Sequence, residues 1–262
     1  MTVRNIKEMV ANTLQGENAS LAQLISLVEN ESPEVPEIMQ AVSKTPGKAY
    51  RIGITGLAGA GKSTLTDKLI ASYRARGLKV GVIAIDPTSR LTGGAILGDR
   101  IRMQQHYLDP GVFIRSMATR GSYGGLCQAV ENTAQLIAAS GKDIILIETT
   151  GVGQTETDIV SVADVVILVL VPGFGDGIQL MKAGLLEIAD IIVVNKADLE
   201  GTEILASEIR DELAYSPKRD AQSLVILEAA HNTGIEELYT EIEKRRKLKI
   251  NNIIEGEGHG PG

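Results

Sequence analysis

The chain has 262 residues, enough for one large α/β domain with a small extension, and its 44% hydrophobic and 23% charged residues suit a soluble globular protein. A formal net charge of −7 disfavours nucleic acid or an anionic membrane as partner, since both need a basic face, so an anionic ligand has to be captured by a local device. The lone cysteine, Cys127, allows no intrachain disulfide and fits a reducing cytoplasm; the charged start MTVRNIKEMV is not a secretion signal, and the longest apolar stretch, Val165 to Val171, is too short to span a bilayer.

Apolar residues recur at helical spacing through Ile6, Met9, Val10 and Leu14, and again through Leu21, Leu24, Ile25 and Val28. Residues 1–45 are therefore expected to form a helical extension that packs and carries no chemistry. Ser32-Pro33 reads as an N-cap followed by proline at the first helical position, opening a third short helix. From Tyr50 the pattern changes. The runs RIGIT, KVGVIAID, VFIRS, DIILIE, DVVILVLV, DIIVVN and SLVILEA alternate with helical or Gly-rich stretches across residues 46–248. Such alternation predicts an α/β fold, a mostly parallel sheet with helices on both faces, and the Val/Ile-rich strands suit burial on both sides. Residues 249–262, ending in EGEGHGPG, are expected to be disordered. Ligands of such sheets sit at the carboxyl ends of the strands, and every motif below falls at one.

GLAGAGKST, Gly56 through Leu57, Ala58, Gly59, Ala60, Gly61, Lys62 and Ser63 to Thr64, fits G-x-x-x-x-G-K-S/T between a strand and a helix, the context that identifies a P-loop. Glycines let the backbone N–H groups wrap phosphates, the helix N-terminus adds partial positive charge, Lys62 can reach the β- and γ-phosphates, and the Ser63 hydroxyl can ligate magnesium. The competing reading is a structural Gly-rich turn. NKAD, Asn195 to Asp198, stands at the end of DIIVV. A carboxylate there can accept from both the ring N–H and the exocyclic amine of guanine; adenine presents an acceptor in place of that ring N–H and lacks that amine. The competing reading is an Asn/Asp turn. Asp86 and Glu148 end the strands KVGVIAID and DIILIE, where magnesium-holding carboxylates belong, and Asp99 lies in the segment between. Each could instead be a helix cap or a surface acid. LTGGAILGD and PGFGDGIQ are candidate moving loops or ordinary ones.

The strings IDPTSRLTGGAILGDRIRMQQHYLDPGVFIRSMATRG, IETTGVGQTETDIV, PGFGDGIQLMKAGLLEIAD and VVNKAD closely resemble the methylmalonyl-CoA mutase-associated GTPases (MeaB/ArgK type), also known as lysine/arginine/ornithine transport kinases. The resemblance runs from about residue 20 to about residue 245. It implies a GTP/GDP-binding P-loop hydrolase using Mg2+ and acting as a metallochaperone and switch for a cobalamin-dependent acyl-CoA mutase. By this resemblance Lys62 and Ser63 serve phosphate and magnesium, with Lys62, Asp99 and Glu148 acting in catalysis. Ser63, Asp86, Asp99 and Glu148 hold the metal. Asn195, Lys196 and Asp198 read the base, and Glu228, Ala229 and Ala230 form a further base loop in which Glu228 departs from the usual Ser. Asp176 and Lys182 belong to a switch that couples to the partner. Members usually continue into a C-terminal dimerisation arm, whereas this chain stops soon after Arg246 in a Gly-rich tail, so a homodimer is a possible assembly to which the usual arm is not expected to contribute. An arginine finger cannot be chosen among Arg90, Arg100, Arg102 and Arg120. With Cys127, His106, His231 and His259 widely separated, a transition-metal site is not expected, and Cys127 reads as core. The rival reading is a kinase of an amino-acid transport component.

Overall fold

The computed structural model describes residues 5–86, 103–118, 123–149, 158–173, 184–215, 218 and 221–257, without the side chains of 86, 104, 123–127 and 252–257. Three helices open the chain: α1 (Ile6–Leu14), α2 (Asn18–Glu29) and α3 (Val35–Val42). The side chain of Asn5 caps α1 by accepting from the Glu8 N–H at 3.3 Å. The third helix begins later than Ser32-Pro33 predicts. Ser32 instead closes a turn, its carbonyl accepting from the Val35 N–H at 3.0 Å, and the proline in the first turn of α3 is Pro36.

The remaining elements are β1 (Tyr50–Thr55), α4 (Lys62–Ala75), β2 (Val80–Asp86), β3 (Val112–Ala118), α5 (Tyr123–Ala139), β4 (Ile144–Glu148), β5 (Val165–Leu170), α6 (Leu185–Ile188), β6 (Ile191–Val194), α7 (Thr202–Tyr215), β7 (Ser223–Ile226) and α8 (Ile235–Glu257). All seven strands predicted from the sequence form, and they pair in parallel in the order β3-β2-β4-β1-β5-β6-β7. The last helix runs to Glu257, beyond the boundary at 248 and into residues expected to be disordered.

Both faces of the sheet are covered, as continuous apolar strands require. On one face, Ile83, Ile85, Ile145 and Ile147 pack with α5 and with Leu21, Leu24, Ile25 and Ile38 of the N-terminal helices. The extension therefore shares the core of the sheet domain. Arg115 of β3 ties it further, donating to Ser26 Oγ at 3.1 Å and pairing with Glu29 of α2. Further along the same face, α6 and α7 cover Leu168, Leu170, Ile192 and Val194. The opposite face packs α4 and α8 on Ile52, Ile54, Val82, Leu146, Ile167 and Val193. Tyr73 of α4 meets Tyr239 of α8 edge-on, and the Arg76 guanidinium lies 3.9 Å from the Tyr239 ring centre, which fastens these two helices together. No described helix is long and apolar enough to cross a membrane.

This topology makes a crevice. The chain leaves β1 toward β2 on one side of the sheet, and leaves the adjacent β4 toward β5 on the other. Where neighbouring strands send their connections in opposite directions, the carboxyl ends part and a ligand can enter.

Candidate functional site

The P-loop begins immediately after Thr55 of β1 and turns into α4 at Gly61. Two glycines are required by geometry. Gly56 has φ +131°, and a Cβ there would lie 2.2 Å from the Val169 carbonyl oxygen. Gly61 has φ +90°, and its Cβ would lie 2.3 Å from Asn195 Nδ2. Gly61 is the N-cap of α4 and offers no side-chain acceptor, so the first-turn N–H groups remain available to an anion. Ala58 and Gly59 are exposed at the loop tip, and Ala60 is buried. Lys62 is buried, its Nζ donating to the carbonyls of Gly56 at 2.7 Å and Leu57 at 2.9 Å. The ammonium is thus folded back over the loop that a phosphate would occupy.

Register brings the acidic strand end beside this loop. Glu148, the last residue of β4, pairs with Ile54 on one side and Ala84 on the other. Its carboxylate is 3% exposed and is held at both oxygens: Ser63 Oγ donates to Oε1 at 2.6 Å and Thr66 Oγ1 to Oε2 at 2.9 Å. The next residue, Thr149, donates its N–H to the Ile54 carbonyl at 3.0 Å and meets Thr55 Oγ1 at 3.1 Å, extending the β1–β4 contact past the strands. Asp86 ends β2 one strand further away; its side chain lies outside the described residues. Asp99, Asp176 and Lys182, and the four arginines Arg90, Arg100, Arg102 and Arg120, lie outside them altogether, as does the side chain of Cys127. Among the described residues no group of three His, Cys, Asp or Glu side chains is arranged to hold a metal.

The NKAD segment follows β6, and its first residue does something that its place in the motif does not reveal. Asn195 is buried; its Nδ2 donates to the Ala60 carbonyl at 2.8 Å and its Oδ1 accepts from the Ala229 N–H at 3.1 Å. One amide therefore joins the P-loop to the loop after β7. Lys196 adopts a left-handed conformation, φ +59°, which turns the chain so that Asp198 is exposed. Glu228 precedes a short 3₁₀ turn, Ala229–His231, where its carboxylate pairs with His231 and its backbone bridges to Thr233. Ala230 is exposed at the same turn.

Two features escaped sequence reasoning. Thr66 lies in a helix interior outside any motif, and nothing local marks it. His106, weighed only as a metal ligand, instead lies with its Nε2 3.0 Å from the Asp67 carboxylate of α4, which accepts there, and Gln105 donates to the same carboxylate oxygen at 2.7 Å. A His beside an Asp one helical turn past Lys62 is visible only once α4 and residues 103–106 are packed together.

The arrangement can hold a phosphorylated ligand at the uncapped start of α4, with a hydroxyl and a carboxylate meeting next to it and an exposed carboxylate two loops away. Residues 21–256 match the family model described as methylmalonyl Co-A mutase-associated GTPase MeaB. A putative GTPase of Pyrococcus abyssi is 51% identical over 253 residues, covering 93% of this chain and 76% of that protein. GTPase ArgK of Escherichia coli is 40% identical over 197 residues, 74% of this chain and 60% of that one. A solved structure described as an LAO/AO transport system kinase superposes with a TM-score of 0.77 at 28% identity, covering 96% of this chain and 79% of that one. With its parallel sheet, its P-loop opening α4 and a family match over nearly its whole length, the chain belongs to the methylmalonyl Co-A mutase-associated GTPase MeaB family of P-loop GTPases.

Proposed function

We propose that this chain cleaves GTP to GDP and phosphate, and that its nucleotide state acts as a switch for a cobalamin-dependent acyl-CoA mutase, as a metallochaperone does. The observation that carries the hydrolytic reading is the meeting of Ser63 and Glu148, 2.6 Å apart, beside a P-loop whose helix N-terminus is uncapped. In this reading the N–H groups from Gly56 to Thr64 enclose the phosphates, and Lys62 exchanges the carbonyls of Gly56 and Leu57 for β- and γ-phosphate oxygens.

A serine hydroxyl and a carboxylate are hard oxygen donors, and that donor set suits Mg2+, which takes one or two carboxylates and leaves its other positions to water and phosphate. Ser63 and Glu148 would hold the ion, with Asp86 and Asp99 as further carboxylates; when bound, it supplies positive charge against the phosphate oxygens. Asp198 reads the guanine edge. Asn195 keeps the base loops in register with the P-loop through Ala60 and Ala229, while Lys196 and the turn Glu228 to Ala230 flank the base. Asp176 and Lys182 carry nucleotide state to the partner.

The mutase as partner is supported by the family description and by no contact within this chain. The kinase reading, which the description of one solved relative favours, requires an acceptor before phosphate leaves GTP. The partner reading is tested by GTP turnover with and without the cognate mutase, in wild type and in Lys182→Ala. Stimulation of wild type that is lost in the variant supports it, since a ligand shifts a switch only through differential affinity for its two states. Equal turnover in all four reactions overturns it.

A further inference from the structure

We infer that Thr66 is a positioning residue for the metal-facing carboxylate, a role that rests on the magnesium reading of Ser63 and Glu148. Thr66 sits one helical turn after Lys62 in α4 and is fully buried. Its Oγ1 is 2.9 Å from Glu148 Oε2 and 3.0 Å from the Lys62 carbonyl. A threonine hydroxyl has one proton to give. Between an ionised carboxylate and a neutral peptide carbonyl at equal reach, the charged acceptor forms the stronger bond, so the proton goes to Glu148. The carbonyl distance then places the oxygen without competing for its hydrogen.

The consequence lies in how Glu148 is held. Its Oε1 is taken by Ser63, whose oxygen is also the one a metal would use. Thr66 grips the opposite oxygen from a helix, and nothing in the P-loop motif supplies that grip. It fixes the carboxylate plane before and after Ser63 changes partners, as outer hydrogen bonds fix metal-ligating side chains elsewhere.

The test uses full-length protein with GDP and Mn2+, read by the electron paramagnetic resonance of bound Mn2+, together with GDP affinity in EDTA. Thr66→Val keeps the shape and loses the proton; Thr66→Ala is a second variant that any helix accommodates; Thr66→Ser restores the hydroxyl. Losing such a partner weakens metal binding by roughly 10–100-fold. We expect at least ~10-fold weaker Mn2+ binding in Thr66→Val and Thr66→Ala, near-wild-type binding in Thr66→Ser, and GDP affinity in EDTA within about twofold of wild type in all three. Thr66→Val and Thr66→Ala matching wild type while Ser63→Ala is weakened would overturn the role of Thr66 alone. Ser63→Ala also matching wild type would overturn the metal reading beneath it. Equal loss of GDP affinity in EDTA would make Thr66 a packing residue and overturn the inference.

Discussion

Replacing Asn195 by alanine tests whether this residue is chiefly a structural tie between loops. The side chain is 3% exposed, and the two residues it bonds, Ala60 and Ala229, are each 1% exposed. Truncation removes the donor to the Ala60 carbonyl and the acceptor for the Ala229 N–H at once. A buried polar group that loses its partner costs about 1–3 kcal/mol, so the pair predicts a destabilisation of roughly 2–6 kcal/mol. Against a total stability of about 5–15 kcal/mol for a domain, that is a large share. The assay is urea unfolding of nucleotide-free protein followed by far-ultraviolet circular dichroism, with an unchanged m value. Gly61 supplies an internal control. Gly61→Ala drives a Cβ to 2.3 Å from Asn195 Nδ2 and also strains a φ of +90°. In an Asn195→Ala background the steric part disappears and only the backbone cost of about 1–2 kcal/mol remains, so the two penalties must sum to more than the double variant shows. A loss below about 0.5 kcal/mol for Asn195→Ala, or strictly additive penalties, would refute the tie.

Three further outcomes follow from the same geometry. Lys62→Ala should slow phosphate release from GTP by roughly 10²–10³-fold, the loss typical of removing one charge-stabilising donor. Because Lys62 is buried and bonded to two carbonyls, it should also lower the urea midpoint by an amount equivalent to about 1–3 kcal/mol, and an unchanged midpoint would show that those bonds contribute nothing. Asp198→Asn should cost GTP about 3 kcal/mol of affinity and raise affinity for xanthosine nucleotides, measured by calorimetric titration; unchanged GTP binding would remove Asp198 from base recognition. Burial pushes the Tyr73 phenol well above the ordinary tyrosine range, with the nearby Glu243 carboxylate adding to it, and burial also raises Tyr50, with Asp164 contributing next. A group whose pKa is raised by folding stabilises fully below its unfolded pKa, near 10, and that contribution is lost as pH rises above it. The urea midpoint should therefore fall between pH 9 and pH 11, and less steeply in Tyr73→Phe; parallel slopes in the two proteins would contradict this.

What the sequence disclosed follows from which interactions are local. The seven strands were legible because a parallel strand covered on both faces must be a continuous apolar run, as VVILVL and IIVV are. The P-loop was legible because Gly56 and Gly61 occupy positions that a Cβ would foul, and glycines required at such spacing leave a pattern. Element ends were less legible. Ser32-Pro33 carries good cap chemistry, yet Ser32 spends its carbonyl on a turn, and α3 starts at Val35. α8 extends past the apolar repeat because Arg245, Arg246 and Lys249 along it find carboxylates: Glu241 and Glu243 on the helix itself, Asp164 before β5. The supporting contacts of the site were not legible at all. Thr66 to Glu148, Asn195 to Ala60 and Asp67 to His106 join residues 82, 135 and 39 positions apart. No periodicity or spacing rule encodes pairs that only the strand order brings together. Motif reasoning singled out Ser63 and Glu148, which meet at 2.6 Å, and passed over Thr66, which holds the other carboxylate oxygen.

The most direct test of the account is phosphate release from GTP and from ATP, each with Mg2+ and with no acceptor added. The P-loop, the Ser63–Glu148 pair and the carboxylate of Asp198 together predict slow but continuous release from GTP, abolished by EDTA, and little or none from ATP. Equal release from both nucleotides, or none from GTP until an acceptor is supplied, would contradict it.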